Sequence, residues 1–196
     1  MKVQRTKTVR RKRADLKKLA SHYASSALGR IEPGCRLIGL TNGRFSLVDI
    51  IAEVLKATGR ADVYISSWTA AIDDMAELVE LRDQSKIREI ILMVDKSTPG
   101  RGKDYLKKLH AMLGNNVFFS RVHAKFVVIQ NADWNVTIRT SMNLNRNIRI
   151  EQFDLDDDPE IAEFFIQFMK DVSNFEHIDD ALMSDRLRPK RKYRNQ

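Results

Sequence analysis

The sequence predicts an α/β domain whose mixed, largely parallel central sheet is flanked by helices. Three observations lead there. Strand-like and helix-like segments alternate as βαβαβαβ through the first part of the chain, the order that lays crossover helices on the faces of one sheet. Residues 89–94 read as one strand, continuously apolar from Ile90 to Val94, as expected of a strand buried on both faces. Two later apolar runs, 122–129 and 135–139, are separated only by a polar turn and read as an antiparallel hairpin added to that sheet.

Each element has a local reason. Residues 14–28 read as a helix, because Leu16, Leu19, Ala20, Tyr23 and Leu28 form an apolar stripe that Gly29 ends. Pro33-Gly34 mark a turn before a strand over 35–40. Ser46 and Asp49 have the spacing of a capping pair and open a helix through Ala57, with Leu47, Ile50, Ile51 and Val54 inward and Gly59 as its stop. A strand over 62–68 and a helix over 70–82 follow, the latter with Ile72, Met75, Ala76 and Val79 at i, i+3, i+4, i+7. After the 89–94 strand come a Gly/Pro/Lys-rich loop over 95–102, a helix over 104–113 and a short strand over 117–119. A last strand spans 150–155. Asp156-Asp157-Asp158-Pro159 then read as a helix entry, with Ile161, Phe164, Phe165, Phe168 and Val172 as the helix's core face.

The composition bounds the function. At 196 residues, 43% hydrophobic and 31% charged, the chain fits one folded domain with a core. Its apolar runs are strand-sized, so no membrane span is expected, and the basic N-terminus lacks the apolar centre of a secretory leader. The lone Cys35 cannot form an internal disulfide, which suits a reducing cytoplasm and a small buried thiol. The net charge of +8 is uneven. Residues 1–18 hold nine Lys or Arg against Asp15, residues 185–196 hold six against Asp185, and the body between is net acidic. Two basic arms suit a polyanion, where each cation that meets a phosphate releases condensed counterions. Arg10, Arg11, Lys12 and Arg13 are the densest part of the first arm. The domain plan is thus a basic arm over 1–13, an α/β body over 14–184 and a basic tail over 185–196.

One pattern carries chemistry. His123 and Lys125 stand two apart on an apolar run, so on a strand they share a face. A lone histidine there is usually a satisfied core residue, but lysine is rarely buried without a partner, which favours a functional pair. Ser141 and Asn143 follow in a turn after the return strand, and Glu151 comes next. Together these supply a nucleophile or base, a cation for phosphate oxygens and neutral hydrogen-bonding groups. Asn145, Arg146 and Arg149 either extend a phosphate-binding surface or are ordinary loop charges. Trp68 ends a strand where α/β folds place ligands; core packing is its first reading and stacking on a base its second. His22, His110 and His177 read as structural or surface positions. No His/Cys cluster and no spaced carboxylate set suggests a metal site.

Residues 88–154 resemble the phospholipase D superfamily, whose signature is H-x-K-x4-D-x6-G-S-x-N with an acid further on. His123, Lys125, Ser141, Asn143 and Glu151 fall on it. Gln130 stands at the Asp position, Thr140 at the Gly position, and the interval from Lys125 to Ser141 is three residues longer than the pattern. A longer hairpin turn accounts for that interval and offers Asp133 as a substitute acid. The resemblance implies a phospholipase D-like sandwich and a metal-independent phosphodiesterase with no cofactor, forming a phosphohistidine. The family's reaction uses two histidines, and the signature appears once here, so the resemblance implies a homodimer that shares one site. Lys125 and Asn143 would hold phosphate oxygens, with Asn145 and the arm residues as further substrate contacts. Ser141 would donate a further hydrogen bond, and Glu151 would fix the imidazole tautomer. The basic arms favour DNA or RNA as the substrate of such an endonuclease. The alternatives are a non-catalytic nucleic-acid-binding relative and a phospholipase or phosphatidyl transferase. If the first arm grips phosphates, deleting residues 1–13 reduces the slope of log affinity for DNA against log salt by nearly one per lost contact; an unchanged slope in a salt titration assigns the arm to solubility.

Overall fold

The computed structural model of the chain describes residues 15–17, 23–41, 43–96, 103–146 and 148–182. Arg10, Arg11, Lys12 and Arg13, the tail over 185–196 and His22 lie outside them. The described elements are β1 (Asp15–Lys17), α1 (Ala24–Leu28), β2 (Arg36–Thr41), α2 (Leu47–Thr58), β3 (Ala61–Ser67) and α3 (Ile72–Asp83). There follow β4 (Ile87–Asp95), α4 (Lys103–Leu113), a 3-10 turn, β5 (Val117–Ser120), β6 (Phe126–Gln130), β7 (Asn135–Thr140), β8 (Glu151–Asp157) and α5 (Pro159–Leu182).

The strands form one sheet in the order β1-β2-β8-β7-β6-β3-β4-β5. It is mixed, as expected, but its parallel share is smaller than the sequence suggests. Only the β1–β2, β3–β4 and β4–β5 joins are parallel; the four central joins are antiparallel. The hairpin β6–β7 and the strand β8 are inserted between β2 and β3, so they occupy the middle of the sheet rather than its rim.

Helices α1 to α4 cover one face and α5 the other. The first layer packs Leu28, Ile50, Ile51, Val54, Met75, Leu78 and Leu109 against Val63, Ile65, Val127, Ile129 and Ile138. The second packs Ala162, Ile166 and Met169 against Met93, Phe126 and Val128. Alternation along β6 divides its residues between the two layers, and each fully buried side chain of this size contributes about 1.5–3 kcal/mol. The expected capping pair is present in full: Ser46 Oγ accepts from Asp49 N–H, and the Asp49 carboxylate accepts from Ser46 N–H at 2.6 Å.

Three expectations need correction. Residues 14–28 are not one helix: Asp15–Lys17 adds to the sheet beside β2, and the helix is confined to Ala24–Leu28. The apolar stripe read at helical spacing also fits a short edge strand followed by a helical turn. Asp156 and Asp157 belong to β8, not to a helix entry. Asp156 pairs with Arg139 and Arg36, and the Asp157 carboxylate accepts from Gly34 N–H at 2.6 Å and Asn135 N–H at 2.9 Å. Asp158 alone caps α5, accepting from Glu160 N–H at 2.9 Å. The core face of α5 is also turned: Ala162, Ile166 and Met169 are buried with Phe165 and Val172 against them, while Phe164 is 68% exposed.

Gly39 on β2 faces Phe153 on β8 in register, and a Cβ there would lie 2.4 Å from Phe153 Cζ. The ring is buried in the core, so it has little room to retreat. Gly39→Ala is expected to destabilise the fold by about 1–3 kcal/mol, read as a lower urea midpoint at unchanged m-value.

Candidate active site

The topology places the site. From β5 at the sheet edge the chain must return to β6, passing the C-terminal ends of β4 and β3. Two side chains fasten this return. Asp95, the last residue of β4 and only 8% exposed, accepts from Val122 N–H at 2.9 Å. The buried Ser66 donates to the Ala124 carbonyl at 2.8 Å. The strand expected over 122–129 therefore begins at Phe126, and His123 and Lys125 sit just before it on irregular backbone. They still come together: Lys125 Nζ lies 3.3 Å from His123 Nδ1 and donates to the His123 carbonyl at 3.1 Å.

β7 ends at the same edge. Thr140 N–H donates to the Lys125 carbonyl at 3.1 Å, which sets the 141–143 turn beside the His-Lys segment. Thr140, at the signature's Gly position, shapes that turn: its hydroxyl donates to the Gln152 carbonyl at 2.7 Å and accepts from Met142 N–H at 3.0 Å. Ser141 Oγ accepts from Gln152 N–H at 3.0 Å and donates to the Glu151 carboxylate. Its single proton is thus committed to Glu151, and the hydrogen bond expected from Ser141 to a phosphate is not offered in this arrangement. Asn143 differs. Its Oδ1 is buried without a hydrogen-bond partner, and its amide makes no side-chain hydrogen bond among the described residues. Asn145 likewise carries a buried, unpartnered Oδ1. Leu144 between them is tied down, its N–H donating to Ser67 Oγ at 3.0 Å and its carbonyl accepting from Ala71 N–H at 2.7 Å.

Six residues from four separate segments thus meet at one edge of the sheet: Trp68, His123, Lys125, Ser141, Asn143 and Glu151. The Trp68 and His123 rings lie 5.7 Å apart between centroids. His123 is exposed and Lys125 half-buried. Burial pulls the Lys125 ammonium below the ordinary lysine value, and the Glu151 carboxylate acts in the opposite direction. Such a group suits developing negative charge, because a poorly hydrated cation interacts strongly with an anion that displaces little water from it.

Other expected residues fall elsewhere. Asp133 is in the exposed turn at the far end of the β6–β7 hairpin, a strand length of roughly 17 Å from Lys125, so it cannot substitute for an acid beside the site. Gln130 at that same end donates to Asn135 Oδ1 at 2.9 Å, a bond within the hairpin. Arg146 pairs with Glu77 at 2.9 Å. His110, on α4, lies 3.2 Å from the Gly114 carbonyl through Nδ1, a surface position as expected. Arg121 is a residue that the sequence pattern did not mark. It is exposed, two residues before His123, and makes no side-chain hydrogen bond or ion pair among the described residues. The same i, i+2 spacing that marks His123 and Lys125 would have found it.

A cleft of about 880 Å³ opens between α1, α2 and the loop holding Arg146 and Ile148, lined by Phe45, Asp49, Glu53 and Lys56 among others. It contains none of the six convergent residues, and its acids are engaged: Asp49 by Ser46 and Glu53 by Lys56. Chemistry is better supported at the sheet edge. Among the described residues no group of three or more His, Cys, Asp or Glu is placed to hold a metal ion, and no helix is long and apolar enough to cross a membrane.

No protein-family profile matches the chain, and no curated protein matches it in sequence. Solved structures do match. The crystal structure of a phospholipase D family member, Nuc from Salmonella typhimurium, aligns with a TM-score of 0.47 at 16% identity, covering 71% of this chain and 93% of that one. NucT from Helicobacter pylori aligns with a TM-score of 0.48 at 14% identity, covering 69% and 94%. Polyphosphate kinase from Porphyromonas gingivalis aligns with a TM-score of 0.52 at 10% identity, covering 71% of this chain and 24% of that one. At these identities the likeness is one of fold, a mixed sheet flanked by helices.

The desolvated lysine has a measurable cost. Its folded pKa is lowered, so the unfolded chain binds that proton more tightly, and the native state gains stability as pH rises from the folded towards the unfolded value. Lys125→Met is therefore expected to be at least as stable as the parent at neutral pH, with the advantage shrinking as pH approaches the ordinary lysine range. Urea unfolding across that range measures it.

Proposed function

We propose that the chain is a metal-independent phosphodiesterase that cleaves nucleic acid, using a phosphohistidine formed in a site shared by two protomers. The observation that carries the reading is the contact of Lys125 with His123 at a sheet edge where the uncommitted amide of Asn143 and the Ser141–Glu151 pair also arrive. The reading rests on these residues, not on the solved structures of similar fold. The charge asymmetry points to the substrate: two basic arms on an acidic body suit a long polyanion rather than a small phosphate ester.

These residues support the following chemistry. At rest the Lys125 ammonium lies against His123 Nδ1, which accepts from it only while unprotonated. A phosphate entering the site draws Lys125 onto its non-bridging oxygens. The neutral imidazole's single proton then passes through solvent from Nε2 to Nδ1, where Nδ1–H donates to the Glu151 carboxylate, and Nε2 presents its lone pair to phosphorus. The N–P bond forms as the bond to the leaving oxygen breaks. His123 of the partner subunit supplies the proton that oxygen needs. The same imidazole next takes a proton from water, which attacks phosphorus and releases His123. Asn143 and the exposed Arg121 add donors for the oxygens whose charge grows in the transition state. Ser141 acts through Glu151, holding its carboxylate in place.

Plasmid nicking in EDTA tests this. His123→Ala is expected to lose at least about 1,000-fold in rate and Asn143→Ala about 100-fold. Equal nicking by the parent and His123→Ala would remove the catalytic reading. The shared site has its own signature: refolding parent with an equal amount of His123→Ala leaves about a quarter of the activity if two imidazoles are needed, against about half if each subunit acts alone.

A further inference from the structure

We propose that Trp68 is a stacking platform for a nucleobase beside the scissile phosphate, so that the site takes unpaired strands in preference to duplex. The proposal rests on the nucleic-acid reading above and names the form of the substrate.

The burial pattern is the first argument. Ser66, Ser67 and Ala70 are 0% exposed and Thr69 is 6% exposed, while Trp68 among them is only partly buried. The largest side chain of this strand end is thus the one that keeps some contact with solvent. Core packing, the first reading of Trp68 from sequence, accounts for the buried part of the indole and leaves a part exposed to solvent.

Its position is the second. The indole lies 5.7 Å from the His123 imidazole, tilted by 47°. A base laid on the exposed part of that indole would have its backbone phosphate within reach of the exposed imidazole. Lipid head groups and inorganic polyphosphate have no flat ring to offer such a surface; every nucleobase does.

Rigidity is the third. The loop that carries Trp68 is fastened on both sides. Ser67 Oγ donates to the Thr69 carbonyl at 2.7 Å, Leu144 N–H donates to the same carbonyl at 3.2 Å, and Tyr105 donates its hydroxyl to the Ala70 carbonyl at 2.7 Å. The backbone that carries the indole is held in place before any ligand arrives, which reduces the ordering cost of stacking. A base inside a duplex is already stacked on both faces and must be extruded to use the platform, at a cost of a few kcal/mol. An unpaired strand avoids that cost.

The test uses the full chain with three substrates of one length: a single-stranded DNA oligonucleotide, the same backbone with abasic residues, and the fully paired duplex. The expected order of kcat/KM is single strand, then duplex, then abasic strand. Trp68→Ala should reduce the preference for base-bearing over abasic single strands by about 5- to 150-fold, while Trp68→Phe, which keeps a ring, retains most of it. Binding gives a readout independent of cleavage. In His123→Ala carrying Trp134→Phe, the remaining indole is Trp68, and its fluorescence should be quenched by the base-bearing strand but not by the abasic one. An equal loss on both strands in Trp68→Ala, or quenching that ignores the bases, overturns the platform. Base-dependent quenching in a parent that does not cleave keeps the platform and removes the nuclease reading; cleavage with no base dependence does the opposite.

Discussion

Two hydrogen bonds hold the return from β5 to β6, and the candidate site depends on them. The chain has to cross the ends of β4 and β3 to reach its place in mid-sheet, and a crossing segment makes no ladder of its own. The Asp95 carboxylate and the Ser66 hydroxyl replace that ladder at Val122 and Ala124. The alternate residues, His123 and Lys125, are thereby held at the edge where the parallel strands end. Loss of either fastening leaves a buried polar group unpaired, at about 1–3 kcal/mol, and frees the backbone that positions the imidazole.

Around that segment the polar groups divide into those the fold consumes and those it leaves available. Thr140 closes the turn after β7 through Gln152 and Met142, and Ser141 is occupied with Glu151 and Gln152. A glycine shapes such a turn by its backbone freedom; here a hydroxyl does it with two hydrogen bonds. Asn143, Arg121 and the exposed His123 make up the available set, with Lys125 between the two. Residues that share one sequence pattern therefore serve different ends: some shape the site, and some are open to a ligand.

Much of this was legible in the sequence where local rules act alone. The Ser46–Asp49 capping pair, the helices α2 to α4 and the strands β3 and β4 follow from spacing and stop signals, and five residues of the candidate site, His123, Lys125, Ser141, Asn143 and Glu151, fall on one pattern. The misreadings share a cause: tertiary partners that no local window contains. Asp156 and Asp157 look like a helix entry until Arg139, Gly34 and Asn135 claim them from strands and turns far away in sequence. Asp15–Lys17 becomes a strand because β2 offers an unpaired edge. The apolar face of α5 turned because Phe126 and Met93, not the helix's own periodicity, set which side is inward. Asp95 and Ser66 gave no signal, since a carboxylate or hydroxyl at a strand end acquires its role only when another segment passes over it.

The half-buried ammonium of Lys125 has a consequence for the docking of an anion. An ion already stripped of part of its hydration shell on reaching the native state has less solvent to shed when an anion docks. That dehydration is carried out once, as the polypeptide acquires its shape, and need not be repeated with every anion bound.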